Sequence, residues 1–353
     1  MSGCLELKER TCLLAPEEKN TLVVWLEPAP AKAVVYLDGK KIESRNGRIG
    51  AGLTVAFSPE GKSGTVEIRD ASGTRMYAFR LVRAQSCPEL ERAEQEFGKA
   101  GVERARVLPY GTKPECRARA HSVAARSLLF AGKNSEAAGE FERAVRLHRL
   151  AGEPLQAAND LLTLAWVYTF KVPAYERARG ILAEVEKSLG EYPMLEAAWH
   201  YYRGQLERET GRLRAAVADF TAAMEWAERL RQVKIELAAA QALADCRQLL
   251  GRPADAWNTL DGLLRKRRRD LTPCQLADLN TNMGWLLLNW DGAREEPEPF
   301  FRSALELYRG DCKSPDDEAN VLTNLALAEM RRGNPERSRE LLEKARRVQP
   351  RPG

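Results

Sequence analysis

Leu213–Ala223 reads LRAAVADFTAA and follows the turn Thr210-Gly211-Arg212. It sets Gly211, Ala216, Phe220 and Ala223 at offsets of 5, 4 and 3. A tightly turned helix pair needs this order. Glycine tolerates the chain reversal, a small alanine lets two helices close on each other, and phenylalanine fills the wedge between them.

Equivalents of that alanine recur at Ala137, Ala178, Ala216, Ala256, Pro297 and Ser338, spaced by 41, 38, 40, 41 and 41 residues. Four residues on stand Phe141, Leu182, Phe220, Leu260, Phe301 and Leu342; seven on stand Ala144, Val185, Ala223, Leu263, Ala304 and Ala345. Upstream, each unit has a small residue where its first helix would cross the second: Ala125, Ala165, Gly204, Ala244, Gly284 and Ala326. Four units carry the turn glycine, at Gly132, Gly211, Gly251 and Gly333. Over residues 115–347 this code resembles the tetratricopeptide (TPR) repeat in a form with extended helices. It departs from the pattern at Pro297 and in the turns of units two and five, which run about one residue long. The resemblance implies an α-solenoid of about six helix pairs, a right-handed superhelix with a concave groove in which each unit covers an apolar face its neighbour cannot bury alone.

Residues 1–86 belong to another class. Segments rich in β-branched and aromatic residues (Thr21–Glu27, Ala33–Leu37, Leu53–Phe57, Thr65–Asp70, Arg75–Val82) alternate with Asp38-Gly39, Asn46-Gly47, Glu60-Gly61 and Ser72-Gly73, dipeptides that suit tight hairpin turns. They predict a small antiparallel β-sandwich of five or six strands. Residues 87–114 read as a helix over Pro88–Ala105 followed by a Pro- and Gly-containing hinge, and residues 348–353 as a tail that cannot continue a helix.

Lys and Arg total 55 against 50 Asp and Glu, an excess too shallow for a dedicated nucleic-acid binder. The seven cysteines (Cys4, Cys12, Cys87, Cys116, Cys246, Cys274 and Cys312) form no C-x-x-C pair, which points to free thiols in a reducing cytoplasm and away from zinc. No run is long and apolar enough for a membrane span, and the N-terminus lacks the apolar core of a signal peptide.

Catalytic patterns are weak. Gly61-Lys62-Ser63 copies the end of a phosphate loop without its upstream glycine or its helix, so a hairpin turn is the better reading. Cys116 and His121 diverge around their helix, and His148 and His200 belong to other repeats. Glu295, Glu296 and Glu298 make an acidic turn, and Arg265–Arg269 a basic run whose cations complement a helix C-terminus; RNA, a nucleoprotein or a phosphopeptide is its alternative partner, with Arg119 and Arg126 as further cations for an RNA or nucleoprotein adaptor.

The inner wall of such repeats carries first-helix residues. Mapped from the small crossing positions, these are Leu162, Thr163 and Trp166; Tyr201, Tyr202 and Gln205; Thr281, Asn282 and Trp285; Thr323, Asn324 and Leu327. Asn159, Asp278 and Asn320 fall about one turn earlier. Amide side chains both donate and accept, so a ladder of them pairs the backbone of an extended peptide without demanding its sequence. Tyrosine and tryptophan add contact area at low entropic cost, although Trp166 and Trp285 serve equally well as packing between repeats. Asn159, Thr163, Trp166, Tyr201, Gln205, Asp278, Asn282, Trp285, Asn320 and Asn324 are thus the expected peptide-binding residues of a chain that calls for no cofactor or metal.

An N-terminal β domain followed by long repeats of the Leu322-Thr-Asn324-Leu325-Ala326 type resembles the N-terminal half of bacterial TPR-CHAT proteins. There the repeats sense a partner and control a caspase-like protease domain placed after them, often in defence. No such domain precedes Gly353, so the resemblance implies a regulatory, non-enzymatic half or a fragment of a longer protein.

Overall fold

The structure, a computed structural model, describes residues 6–8, 11–14, 21–27, 29–49, 52–59, 64–83 and 114–348. It is mainly α, of TPR type, preceded by small β-sheets. The lookalike Gly61-Lys62-Ser63, the helix expected over Pro88–Ala105, most of the hinge and the tail after Val348 lie outside the described residues. Two compact units emerge, Met1–Arg212 with Glu225–Gln232, and Leu213–Met224 with Val233–Gly353.

In the first unit, strands β1 (Glu6–Lys8), β2 (Thr11–Leu14), β3 (Leu22–Leu26), β4 (Ala33–Leu37), β5 (Lys40–Ile42), β6 (Ser44–Ile49), β7 (Gly52–Phe57), β8 (Gly64–Asp70) and β9 (Arg75–Arg83) form two sheets. Their orders are β1-β2-β9-β8-β4-β5 and β3-β7-β6. All pairings are antiparallel except β2 with β9. Strand alternation turns Val35, Leu37, Val66 and Ile68 of one sheet and Leu22, Val24, Leu53 and Val55 of the other into a single core. Asp38 and Gly39 take the positive φ of a tight hairpin, as expected. Asn46-Gly47 does not turn. It lies inside β6, where the Asn46 side chain accepts from the Ala33 amide at 3.1 Å and donates to the Ala33 carbonyl at 3.0 Å. That two-way amide pairing stitches β6 to β4 of the other sheet and holds the dipeptide extended.

Among the described residues twelve helices follow as six pairs: α1 (Pro114–Phe130) and α2 (Asn134–Leu150), α3 (Pro154–Phe170) and α4 (Tyr175–Glu186), α5 (Glu196–Glu209) and α6 (Leu213–Arg229), α7 (Val233–Leu249) and α8 (Pro253–Arg267), α9 (Pro273–Leu288) and α10 (Glu298–Leu307), α11 (Pro315–Arg331) and α12 (Pro335–Val348). Prolines open α3, α8, α9 and α11, where the missing amide proton is no loss. The turn glycines Gly211 and Gly251 have φ of 78° and 72°, a conformation that a side chain would strain.

The crossing code holds. Ala216, Phe220 and Ala223 are fully buried, as are Ala137, Phe141 and Ala144. At Gly284 the fit is close, since a Cβ there would sit 2.7 Å from the Phe301 ring. Two positions depart from it. In the last pair Leu341 is buried and Leu342 exposed, so the wedge comes three residues after Ser338, not four. Pro297 stands ahead of α10, which starts at Glu298, at a helix start where its missing amide proton is no loss; beside it Arg332 donates to Glu296 at 2.5 Å and Glu298 at 2.6 Å. The Arg332 and Arg302 hydrogen bonds hold the Glu298 carboxyl below the usual carboxylate range.

The expectation of free thiols fails in the second unit. Cys274, in the first turn of α9, is disulfide-bonded to Cys312 at the end of a π-helical turn, Tyr308–Cys312. Cys116 in the first unit is also disulfide-bonded. Among the described residues Cys246 is buried and stands in no disulfide. Cysteine usage therefore no longer argues for a reducing compartment. No described helix is long and apolar enough to cross a membrane.

Candidate functional site

In the first unit the expected wall residues stand on α3 and α5, which touch. Asn159, Thr163 and Trp166 recur at four- and three-residue steps, the spacing of one helix face, and they stay exposed or half-buried while nearly every other position of α3 is buried. Thr163 turns its hydroxyl back to the Asn159 carbonyl at 3.2 Å. Trp166 lies between the two readings given to it, half-buried against the core, 6.0 Å from Phe170 and beneath the Lys171 ammonium at 5.4 Å. On α5, Gln205 is buried and donates to the Tyr201 hydroxyl at 2.8 Å, while its carbonyl oxygen has no hydrogen-bond partner among the described residues. Tyr201 and Tyr202 meet edge to face at 5.4 Å.

The second unit presents its wall on α9 and α11, also in contact. Asn282 and Asn324 are half-buried and Asn320 is exposed. Trp285 at 41% and Leu327 at 37% exposure leave large apolar surface open beside them, and Met330 extends it. Thr281 and Thr323 donate to carbonyls four residues back on their own helices, which removes them as ligand donors. Arg331 bridges the two helices, donating to the Leu288 carbonyl and to Asn289 Oδ1. Asp278 accepts from the Tyr308 hydroxyl at 2.5 Å, and burial pushes its carboxyl above the ordinary aspartate value despite that bond.

The sequence reading missed a polar cluster beneath the first unit's wall. Ser122 on α1 donates to Asp160 on α3 at 2.5 Å. His148 on α2 lies 3.4 Å from the Ser122 hydroxyl and 3.5 Å from Asp160 through Nε2, with Nδ1 2.7 Å from Glu153. Burial raises the Asp160 carboxyl, and Ser122, His148 and Arg126 oppose that shift. These are the residue types of a nucleophilic hydrolase, but Ser122 is 5% exposed and its hydroxyl is committed to Asp160, so the cluster pins three helices together. The signal available in the sequence was spacing, because Ser122 and Asp160 stand 38 residues apart, close to one repeat.

Other catalytic candidates are occupied. His121 meets Glu140 at 2.5 Å, and His200 approaches Glu196 at 3.8 Å. In the basic run, Arg265 pairs with Asp261, Lys266 and Arg267 with Glu236, and Arg267 also with Asp270. These carboxylates neutralise most of the field that nucleic acid would require.

No family model and no curated protein matches this sequence. Among solved structures, the chain is similar to the apo form of RapI, with a TM-score of 0.56 and 15% identity over 74% of this chain and 96% of that one. It is also similar to aspartyl phosphate phosphatase F from Bacillus subtilis, with a TM-score of 0.55 and 12% identity over 74% and 68%. NprR in complex with its cognate peptide NprX gives a TM-score of 0.47 at 14% identity over 73% and 76%. At these identities the likeness is one of fold.

Proposed function

We propose that this chain is a non-enzymatic scaffold that binds a protein segment in extended form, and that it acts as a regulatory sensor. The observation that carries the reading is the wall of the second unit. Asn282 and Asn324 sit on touching helices beside the open surfaces of Trp285 and Leu327. Amides satisfy both the donor and the acceptor of a peptide unit, and the indole and leucine cover the side chains between. The fold shared with RapI supports a repeat array as the framework. The finer reading takes a caspase-like protease, or its regulator, as the partner; it rests on the β-domain and repeat order noted in the sequence.

The test is affinity capture of the full chain in its own host, identification of the captured protein by mass, and reconstitution from purified components. Asn282→Ala with Asn324→Ala weakens the reconstituted complex by roughly tenfold or more, as loss of two hydrogen-bonding amides implies. Equal affinity of the double variant would remove the wall from the mechanism. Peptide hydrolysis by the chain alone, abolished by a single Cys or His substitution, would replace a scaffold with an enzyme.

A further inference from the structure

On the face of α3 away from Asn159, Thr163 and Trp166, helices α2, α3 and α4 border an open cleft of about 350 Å³. The two faces are opposed because each residue turns a helix by about 100°: Leu161, Leu164 and Tyr168, which line the cavity, fall half a turn from the other three. The volume lies at the small end of the ~300–1,000 Å³ typical of ligand sites.

Its floor is apolar, made by Val145, Leu161 and Leu164, with Ile181 packed against them. Its mouth is charged. Tyr168 donates to Glu142 at 2.8 Å and accepts from Arg177 at 2.9 Å, so this side is internally matched. Arg149 on α2 reaches across to Glu184 on α4, both half-exposed. Such solvated pairs open readily. Arg146, also on the lining, has no carboxylate partner among the described residues. Three arginines thus face two glutamates, and the unmatched charge is positive.

We propose that this cavity binds a small amphipathic monoanion, an aliphatic carboxylate. The stem lies against Ile181 and over the floor of Val145, Leu161 and Leu164, while the head accepts from Arg146 and replaces Glu184 as the partner of Arg149. A polyanion is disfavoured by Glu142 and Glu184 at the rim, and a cation by the arginines. The site shares no lining residue with the proposed peptide walls.

The test is titration of the full chain with sodium octanoate, followed by calorimetry or methyl NMR, with 1-octanol and octylamine as uncharged and reversed-charge controls. Gly180→Leu blocks the mouth; a Cβ on Gly180 meets nothing within 4 Å, so the fold is kept, and a melting curve verifies it. Octanoate is expected to saturate one site, the two controls to bind at least about tenfold more weakly, Arg146→Glu to lose about tenfold, and Gly180→Leu to lose binding. The Asn282→Ala, Asn324→Ala variant binds octanoate as the parent does, whatever becomes of the peptide reading. Absence of saturable binding, octanol binding as tightly as octanoate, or parental affinity in either cavity variant overturns the proposal.

Discussion

The Tyr308 hydroxyl donates to Asp278 Oδ1 at 2.5 Å, and four residues from each of them the disulfide Cys274–Cys312 joins the same two segments. One helical turn of α9 is therefore fastened twice to the π-turn, by a covalent bond and by a charge-assisted hydrogen bond. Asp278, expected from the sequence to face a ligand, is already engaged within the protein.

Tyr308→Phe removes the hydrogen bond that opposes the burial of Asp278. The Asp278 carboxyl is expected to rise further above its ordinary value, and stability near neutral pH to fall by about 1 kcal/mol. Because the folded-state value lies above the unfolded one, the stability this group contributes is complete below the ordinary aspartate value and is lost as pH rises through the raised one. Carboxyl NMR titration of parent and variant checks the shift; an unmoved Asp278 would sever it from Tyr308.

Asp160 follows the same sign, since burial raises it while Ser122 holds it down. Ser122→Ala leaves a buried carboxyl without its donor and is expected to cost about 1–3 kcal/mol at neutral pH. Asp160→Asn is expected to flatten the part of the stability profile that declines as pH rises through the Asp160 transition. Urea unfolding across a pH series measures both.

Reduction of Cys274–Cys312 releases a sequence separation of 38 residues. Loop-closure entropy gives about 4 kcal/mol as the loss for a loop of that length. Cys274→Ser with Cys312→Ser, unfolded in denaturant, should match the reduced parent at this site; a variant as stable as the oxidised parent would show that the bond constrains nothing.

Gly284→Ala drives a methyl group into the Phe301 ring and is expected to cost about 1–3 kcal/mol. Adding Phe301→Leu recreates the Ala244 and Leu260 combination of the preceding pair and should recover part of the loss. A double-mutant cycle reads the coupling, and strict additivity would separate the two residues.

The repeats were legible because helix crossings demand small residues at fixed intervals, and a requirement met six times stands out even with Pro297 and Ser338 in the alanine place. The Leu341 and Leu342 exchange was not legible, since two adjacent leucines satisfy either spacing and only the angle of α12 chooses. Asn46-Gly47 misled because hairpin propensity is local, whereas its partner Ala33 is 13 residues away. The Cys274–Cys312 bond was hidden by the same separation that explains it, because 38 residues is nearly one repeat and brings neighbouring units into register. Candidate wall positions followed from the crossing residues, but Gln205 and Asp278 were taken as open to a ligand, and internal hydrogen bonds engage both.

The Gly284–Phe301 contact also bears on whether such repeats are exchangeable parts. Grafting α10 onto α7 would press a phenylalanine against Ala244, and grafting α8 onto α9 would leave Leu260 short of Gly284, a void in place of a ring. The α9–α10 pair is keyed by the combined size of these two side chains on different helices. A chimera cut between α9 and α10 would therefore lose that match, whereas one cut between pairs keeps Gly284 with Phe301.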